Sequence, residues 1–236
     1  MIRVDILVID VGGSRIKVMA SNQKEPIVFD SEPEFTPTDL VREVKRRTAK
    51  WEYEVVSLGY PGVIGENGPR EEPGNLGQGW IDFDFVKAFE KPVRVVNDAS
   101  MQALGAYTHG RMLFLGLGTG LGAALIADRM IVSLELGCLP CAGNATLFDR
   151  LGKQGLEKHG FESWYDTLTA SIKYLRRAFL ADYIVLGGGN AEQVDPLPEA
   201  TRRGGNEDAF TGGYRLWEEW VKLQHYDPHG PWRVLR

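Results

Sequence analysis

The 236-residue sequence has only two cysteines, and it has no long apolar run. Two cysteines cannot form the disulfide framework of a small secreted protein. No apolar stretch approaches the roughly 20 residues that a membrane-spanning helix needs. Asp and Glu outnumber Lys and Arg by 32 to 27, for a net charge of −5, so the basic footprint of a nucleic-acid-binding protein is missing. We therefore expect a cytoplasmic protein with no nucleic-acid and no membrane partner.

Short apolar runs alternate with segments of helical periodicity, which predicts an α/β protein. A helix is predicted to start near Thr36 and Pro37, where a hydroxyl cap precedes a proline. A short helix is predicted at 83–89, and a longer one through Phe161 to Phe179, where apolar residues recur at three- and four-residue steps.

Two segments, ILVIDVGGSRIKVMA from residue 6 and LFLGLGTGLGAALIA from residue 113, both read as strand, glycine turn and strand. This weak repeat predicts two similar lobes around a shared cleft, where ligands commonly bind. We assign residues 1–108 to an N-terminal lobe and 109–236 to a C-terminal lobe. The last helix, at about 207–222, is predicted to pack back on the N-terminal lobe.

The two glycine turns, at residues 12–14 and 118–120, lack side chains that would keep a phosphate away from the backbone N–H groups. Neither turn has the Gly-Lys-Ser/Thr ending of a P-loop, and a strand rather than a helix follows each one. A single turn of this kind is typical of an ordinary tight hairpin. The pair, together with Asp10 and Thr119, favours phosphate binding.

Two aspartates stand at the ends of predicted strands. Asp10 could hold Mg²⁺ through water, or it could cap the turn that follows. Asp98, after Asn97, could cap the next helix, or it could take a proton from an alcohol that attacks a phosphoryl group. Both interpretations stay open at this point for each residue.

Cys138 and Cys141 form a C-x-x-C pair. A structural zinc site takes four ligands, and the nearest histidine, His159, is distant in sequence. Redox chemistry of the thioredoxin type needs the pair at a strand-to-helix turn, which the pattern does not establish. The pair is therefore interpreted as two ordinary thiols, and no zinc is expected.

Taken in order, the motifs resemble those of the ROK family of sugar kinases within the actin/hexokinase superfamily. The short length resembles most closely the polyphosphate/ATP glucokinase branch. The motifs that carry the resemblance cover nearly the whole chain: Asp10–Ser14 with Lys17, Gly59–Gly62, Asn75 with Trp80, Asn97–Ala99, Leu117–Gly122, Glu135–Gly137 and Gly187–Asn190.

The resemblance implies a two-lobed actin-like ATPase fold, a duplicated ribonuclease H-like fold with the active site in the interlobe cleft. It implies phosphoryl transfer from ATP and/or polyphosphate to the 6-hydroxyl of a hexose such as glucose, with Mg²⁺ at Asp10 through water. A homodimer is also implied. Asp98 would be the general base. The residues implied to bind the sugar are Gly62, Asn75, Asn97, Glu135 and Cys138. Those implied to bind the donor's phosphates or nucleotide are Asp10, Gly12, Gly13, Ser14, Lys17, Gly118, Thr119, Gly120, Gly188 and Gly189.

The sequence departs from the family in two places. Cys138 stands where the family usually has a histidine that contacts the sugar, so a strong hydrogen-bonding partner is missing. The cysteine cluster that holds zinc in many relatives is also missing. The first departure leaves a second hypothesis open, a sugar- or nucleotide-binding protein with weak or no catalysis. A third, an actin-like ATPase, leaves Asn97, Asp98 and Glu135 without a role.

Overall fold

Two β-sheets of five and six strands form the framework, with a two-stranded hairpin beside them. The structure, a computed structural model, describes residues 4–65, 68–74, 76–141, 143–205 and 207–218, and the backbone of 233–235. In chain order the strands are β1 (Ile6–Val11), β2 (Arg15–Ala20), β3 (Ile27–Asp30), β4 (Val55–Tyr60), β5 (Ile64–Gly65), β6 (Gly68–Pro69), β7 (Val93–Asn97), β8 (Met112–Leu117), β9 (Leu121–Ala127), β10 (Met130–Leu134), β11 (Tyr183–Gly187), β12 (Thr201–Arg203) and β13 (Arg233–Leu235).

The helices connect and cover these sheets. They are α1 (Pro37–Arg47), α2 (Phe85–Phe89), α3 (Asp98–Ala106), α4 (Leu147–Leu151), α5 (Lys153–Ala178) and α6 (Asp208–Arg215), and short 3-10 helices span Leu136–Cys138 and Gly189–Gln193. The long helix α5 is interrupted at Gly160, whose φ of 75° is not helical. Within the described ranges, no helix combines the length and the apolar composition needed to cross a bilayer.

The two large sheets have the same strand order. The first runs β3-β2-β1-β4-β7, and the second contains β10-β9-β8-β11-β12, with β13 added beside β10. In each of these five-strand orders, the second strand runs antiparallel to both of its neighbours. The third, fourth and fifth strands run parallel to one another. The repeat in the sequence is therefore a repeat of topology, and the predicted α/β fold class is confirmed.

Alternate residues of β1 enter different cores, which explains its unbroken apolar sequence. Leu7 and Ile9 pack under α1 and α2, whereas Val8 faces the layer of α3 and α6 between the two sheets. A third core lies under α4 and α5 and contains Trp164. Burial of each such aliphatic side chain stabilises the fold by about 1.5–3 kcal/mol.

The start of α1 follows the capping chemistry expected from Thr36 and Pro37. The Thr36 hydroxyl accepts a hydrogen bond from the Asp39 N–H at 3.2 Å, and the Asp39 carboxylate accepts one from the Thr36 N–H at 3.1 Å. Together these form a capping box with proline in the first turn. The predicted helix start is therefore confirmed.

Helices α3 and α6 cross at backbone contact. A Cβ atom added at Gly105 would lie 1.8 Å from the Asp208 carbonyl oxygen, and one at Gly212 would lie 1.8 Å from the Met101 carbonyl oxygen. The two helices can approach this closely because both positions are glycine.

A buried polar chain ties the end of α6 to the first sheet. The Trp217 indole N–H donates to Ser57 Oγ at 2.8 Å, and Ser57 Oγ donates to the Gly213 carbonyl at 2.7 Å. The Arg94 guanidinium lies 4.2 Å from the centre of the Trp217 ring. Helix α6 and the residues directly after it thus contact β4, and Trp217 also contacts β7. The proposed lobe boundary at residues 108 and 109 stays a prediction.

Candidate active site

Three parallel strands end at one edge of the first sheet. Asp10 near the end of β1 is in register with Gly59 of β4, and Tyr60 of β4 is in register with Asn97 of β7. Neighbouring strands lie about 4.8 Å apart, so two strand spacings separate Asp10 from the Asn97-Asp98 segment by about 10 Å. The fold therefore brings the two aspartates predicted from sequence to one edge.

Asn97, not Asp98, caps α3. The Asn97 amide oxygen accepts a hydrogen bond from the Ser100 N–H at 3.1 Å, and its amide nitrogen donates to the Gly62 carbonyl at 3.1 Å. Asp98 is the first residue of the helix, and its Oδ1 accepts a hydrogen bond from the Ala99 N–H at 2.7 Å. The cap interpretation of Asp98 is wrong, because the neighbouring asparagine takes that role.

The surroundings of Asp98 favour its protonated form. Its pKa is raised to about 7, mainly by burial, then by the negative charge of Asp10 and to a smaller extent by that of Glu135. The hydrogen bond from Ala99 opposes these effects. Asp98 keeps some accessible surface. A carboxylate with a pKa near the working pH, in reach of a ligand, suits a general base.

The other two acids belong to the same electrostatic group. Asp10 is 7% exposed, and burial raises its pKa to about 6 although the Lys17 charge opposes this shift. Glu135 is an exposed residue. The partial burial of its carboxylate raises its pKa, and the negative charge of Glu71 raises it further. Acids from both halves of the chain therefore influence one another here.

The raised pKa of Asp98 predicts the pH dependence of the activity proposed below. The base works only when ionised, so kcat/KM should be near its plateau above pH 8 and should fall as the pH drops through about 7. A pH profile of kcat/KM from 5.5 to 9, with thermal stability measured at each pH, checks this. A profile that stays flat down to pH 5.5 in folded protein would exclude Asp98 as a base of this pKa.

The first glycine turn is closed by its own backbone. The Gly12 N–H donates to the Arg15 carbonyl at 3.0 Å, and a Cβ at Gly12 would lie 2.8 Å from that same oxygen. Gly13 and Ser14 follow at the accessible tip, and Lys17 stands in register with Asp10 on β2. The structure therefore places these predicted phosphate-binding residues around the end of β1.

The second glycine turn is supported by the start of α5. The Gly118 N–H donates to the Gly120 carbonyl at 3.2 Å, and the Lys153 N–H donates to the Gly118 carbonyl at 3.0 Å. Thr119 is exposed at the tip. Phe148 packs so closely on the turn that a Cβ at Gly120 would lie 2.1 Å from its ring.

The third glycine segment lies beside the second turn. Gly188 has a φ of 78°, and a Cβ there would lie 2.5 Å from the Leu117 carbonyl oxygen at the end of β8. Such a backbone conformation favours glycine. Gly189 then opens a 3-10 helix. Gly118–Gly120 and Gly188–Gly189 therefore form one cluster of turns in the second half.

Three residues of the sugar-side prediction have different outcomes. Asn75 lies outside the described residues. Trp80, singled out with it, is fully buried and packs 5.6 Å from the Tyr60 ring in the first core, so it supports the loop from inside. Cys138 is exposed at the end of the 3-10 helix that follows Glu135, and Cys141 is half-buried.

Sequence reasoning missed two features of this region. The negative charge of Glu71, in the loop after β6, raises the pKa of Glu135. Ser100 and Ser133 join the two halves by a hydrogen bond of 2.8 Å. The effect of Glu71 could have been anticipated, because the loop after Gly65 is rich in glycine and glutamate. No sequence pattern signals the second, because a lone serine on a helix and another on a strand are common.

Asp10 fits the magnesium that the fold implies. Mg²⁺ takes oxygen ligands, commonly one or two carboxylates together with waters and substrate phosphates. Asp10 supplies a buried carboxylate beside the first glycine turn, and a cation there would offset the repulsion between Asp10 and Asp98. Across the part of the chain that the structure describes, no group of three or more His, Cys, Asp or Glu residues could hold a metal. The expected absence of zinc stays a prediction.

No protein-family profile and no curated protein matches the sequence. Solved structures do match. A polyphosphate/ATP-glucomannokinase from Arthrobacter sp. strain KM superposes with a TM-score of 0.77 at 22% identity, covering 94% of this chain and 100% of that one. A ROK family protein from Streptococcus pneumoniae, in complex with sucrose, gives 0.72 at 18% identity with coverages of 94% and 100%. A ROK family glucokinase from Streptomyces griseus, with glucose and AMPPNP, gives 0.66 at 15% identity with coverages of 89% and 98%.

These structures define the fold. The duplicated sheet with a central layer of helices is the actin-like fold of sugar kinases. Within it, the chain has the fold of ROK-family sugar kinases, over nearly its whole length. The fold that the resemblance implied is confirmed, and activity and substrate are argued separately below.

Proposed function

We propose that the protein is a sugar kinase that transfers a phosphoryl group from ATP and/or polyphosphate to the 6-hydroxyl of a hexose. The observation that carries the proposal is Asp98 at the start of α3, a carboxylate with a pKa of about 7 that follows the Gly62-bonded Asn97 and is influenced electrostatically by Asp10 and Glu135. The ROK-type fold supports it independently.

The reaction needs positioning and charge stabilisation more than covalent catalysis. Asp98 takes the proton of the 6-hydroxyl as that oxygen forms a bond to the terminal phosphorus, and the bond from phosphorus to the leaving phosphate oxygen breaks. Magnesium, held by Asp10 through water, would neutralise charge on the phosphates. Asp98 then carries the proton, which it releases to solvent after product leaves.

The sugar would be held by residues from several segments around the base. One N–H of the Asn97 amide is committed to the Gly62 carbonyl, and its second N–H can donate to a sugar hydroxyl. Glu135 can accept hydrogen bonds from two hydroxyls. The backbone at Gly62, with Asn75 and Cys138, completes the proposed sugar-binding set.

The donor's phosphates would bind at the backbone of the two glycine turns, with Gly188 and Gly189 beside a nucleotide. Basic side chains continue from the second turn, since the Lys153 backbone bonds to Gly118 and Arg150 lies on the preceding helix. Arg150 contacts His159 at 3.3 Å, and Lys153 lies 3.8 Å from Glu157. Arg150, Lys153 and Lys158 could bind polyphosphate, but the same three side chains would also suit an ordinary solvated surface. The test therefore includes both ATP and polyphosphate as donors.

A coupled assay of sugar 6-phosphate formation tests the proposal. Glucose, mannose, glucosamine and N-acetylmannosamine are each combined with Mg²⁺ and either ATP or polyphosphate. We expect turnover with at least one pair and its loss when EDTA replaces Mg²⁺. Donor hydrolysis that does not depend on sugar would instead support an actin-like ATPase.

One observation favours a second candidate, a sugar- or nucleotide-binding protein with weak or no catalysis. Cys138, a weak hydrogen-bonding group, is exposed directly after the Glu135 segment, at the position of the family's histidine. Thermal stabilisation by a sugar without turnover would support this candidate, and Cys138→His would then be the variant to assay. The homodimer and the cytoplasmic location implied earlier stay predictions.

A further inference from the structure

A hydrogen bond joins the two halves two residues after the proposed catalytic base. Ser100 Oγ and Ser133 Oγ lie 2.8 Å apart. Ser100 is the third residue of α3, two residues after Asp98, and is 1% exposed. Ser133 lies on β10, two residues before Glu135. The bond therefore connects the segment of the base with the segment of the proposed sugar-binding acid.

The connection extends to the sugar-side loop. The Ser100 N–H donates to the Asn97 amide oxygen, and the Asn97 amide nitrogen donates to the Gly62 carbonyl. A single chain of hydrogen bonds thus runs from Gly62 through Asn97 and Ser100 to Ser133. Of the proposed sugar-binding residues, Gly62 and Asn97 are members of this chain, and Glu135 lies two residues from Ser133.

The start of α3 is also seated on the second sheet by packing. A Cβ at Gly122 of β9 would lie 2.9 Å from the Ala99 methyl group, so α3 packs directly against the backbone of this strand. A serine inside a helix often bonds to a carbonyl one turn back. Ser100 instead bonds to a side chain of another sheet, which indicates a role between elements rather than within its helix.

We propose that Ser100 and Ser133 form a positioning pair that fixes Glu135 relative to Asp98, so that a sugar bound by the acid presents its hydroxyl to the base. The inference rests on the proposed function. Its reason is geometric: the base lies on a helix after the first sheet, the acid follows a strand of the second, and small misplacements of reacting groups have large effects on rate.

A double-mutant cycle tests the pair. Ser100→Ala, Ser133→Ala and the double variant are compared for kcat, KM and thermal unfolding. We expect each single change to lower kcat/KM about tenfold, and the double change to lower it no further, because either change breaks the same bond. Ser133→Thr keeps a hydroxyl and suits a strand, so it should retain activity within about threefold. Ser171→Ala, which removes a helical serine bonded within α5, is the matched control.

The outcomes separate the inference from the proposed function. A wild-type chain that phosphorylates no sugar would overturn the proposed function and this inference with it. An active wild type whose two single variants keep full kcat/KM would overturn the inference alone. Losses that multiply in the double variant would also overturn it, since independent defects do not share one bond. A fall in Tm of about 2–4 °C in both single variants, with kcat/KM unchanged, would show a bond that only stabilises the fold.

Discussion

Replacing Asp98 by asparagine is expected to lower kcat by about 10²- to 10⁴-fold, the usual contribution of a general base. Asparagine has nearly the same shape, and its amide oxygen can still accept the hydrogen bond that the Ala99 N–H donates to Asp98. The change therefore removes the basic group and leaves the start of α3 intact. The coupled assay gives kcat, and calorimetric titration gives the affinity for the sugar, which we expect to change by less than about threefold because Asp98 acts mainly in the transition state.

Asp84→Asn is the matched control for this variant. Asp84 caps α2 by accepting a hydrogen bond from the Lys87 N–H at 2.8 Å, and asparagine caps helices equally well. The control makes the same chemical change away from the cleft, so its kcat should match the wild type. Near-normal turnover in Asp98→Asn would show that another group accepts the proton.

Replacing Gly212 by alanine is expected to destabilise the protein by at least about 3 kcal/mol and to lower Tm by about 6 °C or more. The added methyl group would lie 1.8 Å from the Met101 carbonyl oxygen on α3. Backbone on a buried helix cannot move aside as a flexible side chain can, so α3 and α6 must separate. Urea unfolding followed by circular dichroism measures the loss.

Gly74→Ala provides the comparison for Gly212→Ala. A Cβ at Gly74 meets no atom within 4 Å, so this substitution should change the unfolding free energy by less than about 0.5 kcal/mol. Equal stabilities of the two variants would show that the helices do not cross at backbone contact.

Much of the fold could be predicted because its signals are local. Buried strands read as apolar runs, Thr36 and Pro37 mark the start of α1, and the two glycine turns repeat between strands. Boundaries were harder. The helix predicted at 83–89 begins at Phe85, because Asp84 rather than an earlier residue caps it. The helix predicted through Phe161 to Phe179 is present, and a further helical segment that was not predicted starts at Lys153 and is separated from it by the non-helical Gly160.

The candidate site was predictable in its strand-end residues and less so in its cross-lobe contacts. Asp10 and Asp98 could each be placed at a strand end from the apolar run that precedes it, whereas the pairing that brings the two ends to one sheet edge came from the structure. The choice of Asn97 over Asp98 as helix cap depends on backbone direction at one residue, which no spacing rule gives. The bond between Ser100 and Ser133 depends on how two sheets pack through α3, a long-range feature without a local signal.

The most direct test of the central claim is a phosphorus NMR spectrum of a reaction mixture with sugar, Mg²⁺ and donor. The account predicts a growing phosphomonoester resonance of a hexose 6-phosphate, equal in amount to the donor consumed and absent in the Asp98→Asn reaction. Formation of inorganic phosphate alone, or no change of the donor with any sugar of the panel in a folded sample, would contradict it.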